Sequence, residues 1–220
     1  MRYPLIRLTL ASTLVFGVAG CLPQTRPEAV VGNGSPGEAT PTVVQVAPLA
    51  WEKNHPEKAV WSAHLRSEIR ANLPLFGQPS DIADYCTGFT GLDETGRVEA
   101  LATMAVAIAR RESAYNPETV FAEPPPLNVD SVGLFQLSYE DGFSWCVLDR
   151  SQDSLKDPLN NITCAVGEMA RLVAKDGQVA AGSTSSNARG LARYWSVIRD
   201  GSGHHHDEIK AATQSTPGCS

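Results

Sequence analysis

Basic clusters, long apolar stretches and strand-like alternation are all missing from this chain. Its 18 lysines and arginines are scattered and outnumbered by 24 aspartates and glutamates in 220 residues. Nucleic acid and anionic membrane surfaces are therefore poor partners for it. The longest apolar stretch, Leu8 to Val18, falls short of the roughly 20 residues that a membrane-spanning helix needs. No two cysteines stand at the close spacing of zinc ligands. His204, His205 and His206 are adjacent but lie beside glycine and serine in what reads as a loop, so neither a metal nor a cofactor is expected. No internal repeat is present, and period-two alternation is too rare for a sheet-built fold.

What is present begins with an export signal. Arg2 and Arg7 precede the short apolar stretch, the order of a positive n-region and an h-region. The stretch ends in Val18-Ala19-Gly20-Cys21, which resembles the bacterial lipobox. That resemblance implies cleavage before Cys21 and acylation of the cysteine, which would anchor the chain in a bilayer. Leu22 follows where an aspartate is absent, and by analogy with enteric sorting this points to the outer membrane, on the periplasmic side of the cell envelope. Loss of residues 1–20 leaves 16 basic against 24 acidic side chains, a net charge of −8. Residues 21–50 then form the anchor and a flexible tether rich in proline, glycine, threonine and alanine. Residues 51–220 are long enough for one domain with a sizeable core.

That domain reads as mainly α. Over 57–72, Val60, Trp61, His64, Leu65 and Ile69 recur at helical spacing, and Leu73-Pro74 is expected to end the helix. Ser80 or Asp81 caps a short helix through Tyr85. Asp93 or Thr95 starts a long, alanine-rich helix to Arg111, apolar on nearly every side and so expected at the centre of the core. Asp157-Pro158 starts another, running to Gly177. A last helix is expected over 187–199, with Leu191, Tyr194, Trp195 and Ile198 on one face. Any β structure is expected within Glu123–Ser138, as a short irregular hairpin.

Beyond Cys21, four cysteines remain, an even number that suggests two disulfides in an oxidising compartment. Of the three connectivities, Cys146–Cys164 with Cys86–Cys219 is favoured. The first ties a loop to the following helix, and the second pins the C-terminus.

The chemistry centres on Glu112, at the end of the apolar helix in Arg111-Glu112-Ser113-Ala114-Tyr115-Asn116-Pro117. Burial and the negative end of the helix dipole both favour the neutral carboxyl. Such a group holds a proton near neutral pH and can deliver it to a leaving oxygen, as glycosidic cleavage requires. The plain alternative is a surface glutamate paired with a neighbouring arginine. Some twenty residues on, Ser131-Val132-Gly133-Leu134-Phe135-Gln136 offers close backbone approach at Ser131 and Gly133. Phe135 adds a flat apolar face for a sugar ring and Gln136 an amide.

Taken together, Glu112-Ser113, Asn116-Pro117, Gly133-Leu134-Phe135-Gln136 and Asn161-Ile162 resemble the lytic transglycosylase (SLT) domains of goose-type lysozyme fold over residues 80–200. Tyr194 also matches, but Trp195 stands where the family has asparagine. The resemblance implies a lysozyme-like helical fold and no cofactor. It implies that Glu112 is general acid and then base on the MurNAc–GlcNAc bond of peptidoglycan glycan strands, and that Ser113, Gln136 and Tyr194 line the groove.

Most glycosidases add a second carboxylate, for which Asp130 is ranked ahead of Glu123, Glu140 and Asp141. A second carboxylate beside Glu112 would favour hydrolysis, including by a lysozyme preferring deacetylated sugars, over the 1,6-anhydro product of the family. A non-catalytic peptidoglycan-binding lipoprotein is the remaining alternative. Glu123-Pro124-Pro125-Pro126-Leu127-Asn128 lengthens the connection between acid and groove wall. Trp145 is the candidate sugar platform, whereas Trp51 and Trp61 are read as packing.

Overall fold

The computed structural model describes residues 46–220. The expected export signal, the expected acylation site Cys21 and nearly all of the expected tether lie outside the described residues. None of the described helices is long and apolar enough to cross a membrane. Leu49 and Trp51 are already buried in the core.

Five α-helices build the core: α1 (Ala59–Phe76), α2 (Ile82–Tyr85), α3 (Glu94–Ser113), α4 (Pro158–Asp176) and α5 (His206–Gln214). Two antiparallel hairpins complete it, β1 (Val120–Ala122) with β2 (Asp130–Val132) and β3 (Ala180–Ala181) with β4 (Arg189–Gly190). The fold is mainly α, as expected, but its β structure is not one hairpin within 123–138: β1 begins at Val120, and a second hairpin follows α4.

α3 is the central element. Asp93 caps it by accepting from the Gly96 amide at 2.7 Å. Val98, Leu101, Met104, Ala105, Ile108 and Ala109 are all buried, and α1 and α5 pack against it. α1 also packs along α4, which begins as expected, with Asp157 as cap and Pro158 in the first turn.

Three further expectations need correction. α1 does not stop at Pro74 but runs to Phe76, where Gly77 turns away at φ +54°. A proline in the last turn removes one backbone bond with little helix left to break. Residues 187–199 are not a helix but strand β4 followed by two 3-10 turns, Leu191–Arg193 and Ser196–Ile198. Gly190 at φ +54° and the extended Trp195 interrupt the spiral. The histidine run is loop only through His205; His206 opens α5, whose first turn carries Asp207 and Glu208, favourable at a helix N-terminus.

Both disulfides are those expected. Cys86–Cys219 joins residues 133 apart and Cys146–Cys164 joins residues 18 apart. Closing the longer loop removes more denatured-state entropy, roughly 5 kcal/mol against 3 in the chain-entropy treatment. Replacing Cys86 and Cys219 together by serine should therefore destabilise more than replacing the Cys146–Cys164 pair. The loss should be about 2–5 kcal/mol by urea denaturation, and equal losses for the two pairs would contradict this.

Candidate active site

Glu112 lies in the last turn of α3, half-buried at the edge of a groove of about 560 Å3. Its carboxyl has no hydrogen bond or ion pair to another described residue. Burial foremost, and then the charge of Glu123, push its pKa from the ordinary 4.5 up to about 7. Its neighbours look elsewhere. Arg111 pairs with Glu208 of α5, and Arg110 is exposed.

The β1–β2 hairpin brings in Glu123, one residue past β1. Its amide donates to the Val129 carbonyl at 2.8 Å, and its carboxylate accepts from the Ser131 hydroxyl at 2.7 Å. Ser131 lies in the groove as a support for Glu123 as well as a wall. Asp130 does not take the expected place. It pairs at 3.0 Å with Arg150, whose guanidinium also holds Glu140 at 2.6 Å, so both carboxylates are spent away from the acid. The second carboxylate beside Glu112 is Glu123.

Gln136 and Tyr194 line the groove. The Gln136 amide donates to the carbonyls of Gly133 (2.8 Å) and Thr119 (3.2 Å). The Tyr194 hydroxyl donates to Asp141 at 2.5 Å, and the same carboxylate accepts from the Ser138 amide at 2.8 Å. Burial raises the Asp141 pKa. Burial, then Asp141, raises that of Tyr194, which stays a neutral donor.

Ser113, Gly133 and Phe135 do not line the groove. Ser113 is buried, its hydroxyl donating to the carbonyls of Leu134 (2.9 Å) and Ala109 (3.2 Å). Phe135 is wholly buried; its amide donates to Asn161 at 3.0 Å and its carbonyl accepts from the Trp195 indole at 2.9 Å. At Gly133, φ is +81° and a Cβ would stand 2.2 Å from the Leu155 carbonyl oxygen. Glycine is needed there for the packing behind the wall, not for approach to a ligand. Asn161, buried in α4, completes the fastening by donating to Val132 (3.1 Å) and Leu155 (2.8 Å).

Trp145 is not an open platform either. Phe143 stacks on it at 4.7 Å and the Arg171 guanidinium lies 3.5 Å from its ring centre, so the ring is already engaged within the protein. His206 is engaged by Asp200 (2.6 Å) and the Tyr85 hydroxyl (2.7 Å). Sequence reasoning missed the exposed Val120, Phe121 and Leu127 on one wall of the groove. Their signal was present as apolar residues flanking a polar, proline-rich tip.

A carboxyl with a raised pKa in the last turn of the central helix, sharing a groove with a second carboxylate, is the arrangement of lysozyme-like proteins. The chain belongs to the family defined by the transglycosylase SLT domain, which matches residues 93–206. Membership brings with it peptidoglycan as substrate and lytic transglycosylase-type activity in general terms.

Among solved structures the chain is similar to Bd0314 DslA in its wild-type form 2, at 28% identity and a TM-score of 0.67 over 79% of this chain and 98% of that one. It is similar too to two variants of DslA, each with one glutamate changed to glutamine. These match at 28% and 27% identity and TM-scores of 0.67 and 0.66, over 78% of this chain and 97% of theirs. No curated protein matches.

The raised Glu112 pKa has a cost in stability. The folded state binds this proton more tightly than the unfolded chain, so stability falls as pH rises from about 4.5 through about 7. Glu112→Gln should therefore be more stable than the wild type at pH 8, by up to about 3 kcal/mol, and nearly equal to it at pH 4. Denaturant midpoints at the two pH values check this; a variant equally destabilised at both would contradict it.

Proposed function

We propose that the protein cleaves the MurNAc–GlcNAc bond of peptidoglycan glycan strands with Glu112 as the proton donor, held to the envelope through Cys21. The observation that carries this reading is the Glu112 carboxyl, raised to about 7 and unpaired in a groove walled by Gln136 and Tyr194. Protonated Glu112 gives its proton to the glycosidic oxygen as the bond from the anomeric carbon breaks. The leaving sugar departs as an alcohol, and the positive charge on the ring is quenched by a nucleophile. Glu112, now a carboxylate, takes the proton from that nucleophile.

Two nucleophiles satisfy this balance. Attack by the sugar's own 6-hydroxyl gives the 1,6-anhydro product typical of the family. Attack by water gives hydrolysis, and Glu123 favours it, because a second carboxylate can stabilise the ring cation or activate that water. Glu112 and Glu123 are eleven residues apart, the same spacing as the two glutamates changed in the DslA variants. Ser131 holds Glu123 in its working position.

Glu112→Gln should abolish release of soluble fragments from purified sacculi, a loss of at least 100-fold by the usual weight of general acid catalysis. Undiminished digestion would reject the assignment. Mass spectrometry of the products separates the outcomes, since an anhydro end is lighter than a reducing end by one water. Under the hydrolytic reading, Glu123→Gln should depress reducing-end products selectively. The rate should also fall as pH rises through about 7, where Glu112 loses its proton.

A further inference from the structure

Three carboxylates line the groove among the described residues, and the mechanism above uses only Glu112 and Glu123. The third, Asp141, comes from the turn that follows the Gln136 wall. Its amide donates to the Ser138 carbonyl at 3.2 Å, which closes that turn. The Ser138 hydroxyl donates to Glu140 at 2.6 Å, and Arg150 holds Glu140 in turn at 2.6 Å. Asp141 is therefore fixed in place before any substrate arrives.

One of its oxygens, Oδ2, accepts twice, from the Ser138 amide at 2.8 Å and from the Tyr194 hydroxyl at 2.5 Å. Burial works against the ionised carboxylate, and these two bonds work for it. The Tyr194 ring is held too, its centre 4.7 Å from that of Trp195 and 6.4 Å from that of Phe143. A phenol has a single proton to donate. Because Asp141 takes it, Tyr194 has only lone pairs left for a ligand in the groove.

Resting on the function proposed above, we infer that Asp141 is a positioning residue that makes Tyr194 a hydrogen-bond acceptor toward the substrate. The glycan group that meets Tyr194 must then be a donor, a sugar hydroxyl or an acetamido N–H. A carbonyl oxygen at that place is refused. Without Asp141 the hydroxyl is free to rotate and point its proton at an acetamido carbonyl or at water. A glycan strand carries donors and carbonyls on different edges of its sugars, so the polarity of this one contact selects which edge turns toward Tyr194.

Substitutions at 141 and 194 in the full chain separate orientation from charge. Asp141→Ala and Tyr194→Phe should each lower release from sacculi about tenfold, the weight of one hydrogen bond to substrate. Asp141→Asn keeps an oxygen that can accept from both Ser138 and Tyr194, so it should restore most of what alanine loses. The Asp141→Ala, Tyr194→Phe double variant should lose no more than either single one, because both remove the same contact. Losses that multiply in the double variant, as a merely structural Asp141 would give, would overturn the role. An asparagine variant as poor as alanine would also overturn it, since that is the mark of a direct charge contact. Cosedimentation with sacculi, all chains carrying Glu112→Gln, repeats the comparison without turnover. A non-additive pair in binding, with no release by the wild type, would sink the catalytic reading and keep the positioning role. Additive losses in binding, with normal release by the wild type, would sink the positioning role alone.

Discussion

The groove depends on a stretch of irregular backbone that is held in place by side chains instead of by a sheet. Between Val132 and Phe135 the chain runs through the interior, where unpaired amides and carbonyls are costly. Ser113 from α3, Asn161 from α4 and Trp195 from beyond β4 each reach one or more of them. Three elements distant in sequence thus converge on four residues. Because α3 also carries Glu112 in its last turn, the bond from Ser113 fixes that carboxyl relative to the wall that carries Gln136.

Charge pairing sharpens the contrast between the acid and its surroundings. Arg66 holds Glu99, Arg150 holds Asp130 and Glu140, and Arg193 holds Asp176. Arg111, next to Glu112 in sequence, is turned to Glu208. Had that guanidinium faced the groove, it would have favoured the ionised carboxylate and removed the proton. Diverting nearby cations is as much a part of making a neutral acid as burying it.

Much of this was legible in the sequence, but for reasons that divide unevenly. The helix caps at Asp93 and Asp157 and the central position of α3 follow from local chemistry, and the presence of two disulfides from cysteine parity, which leaves three pairings open. The roles within the groove motif were harder to read. Gly133 and Phe135 look like ligand-binding residues because glycine and an aromatic suit a sugar. Only the tertiary arrangement shows them facing Leu155 and Asn161 instead. The 187–199 segment carries a helical spacing of apolar residues, yet Trp195 must reach the Phe135 carbonyl, and tertiary demand overrode the local pattern. Asp130 and Glu123 are both acidic residues of one hairpin, and nothing in their spacing reveals that Arg150 claims the first.

One further consequence concerns the turn that follows the acid. Ala114 and Tyr115 are both left-handed, at φ +51° and +66°, a conformation that costs non-glycine residues on the order of 1 kcal/mol each. What offsets that cost comes from the beginning of the described chain. The Trp51 ring meets Tyr115 edge-on at 6.2 Å, and the Lys58 ammonium donates to the Tyr115 carbonyl at 3.3 Å. The stretch from Trp51 to Lys58 therefore acts as a clamp on the peptide units next to Glu112. Loosening Trp51 or Lys58 would be felt by the backbone three residues from Glu112, although neither of those side chains lines the groove.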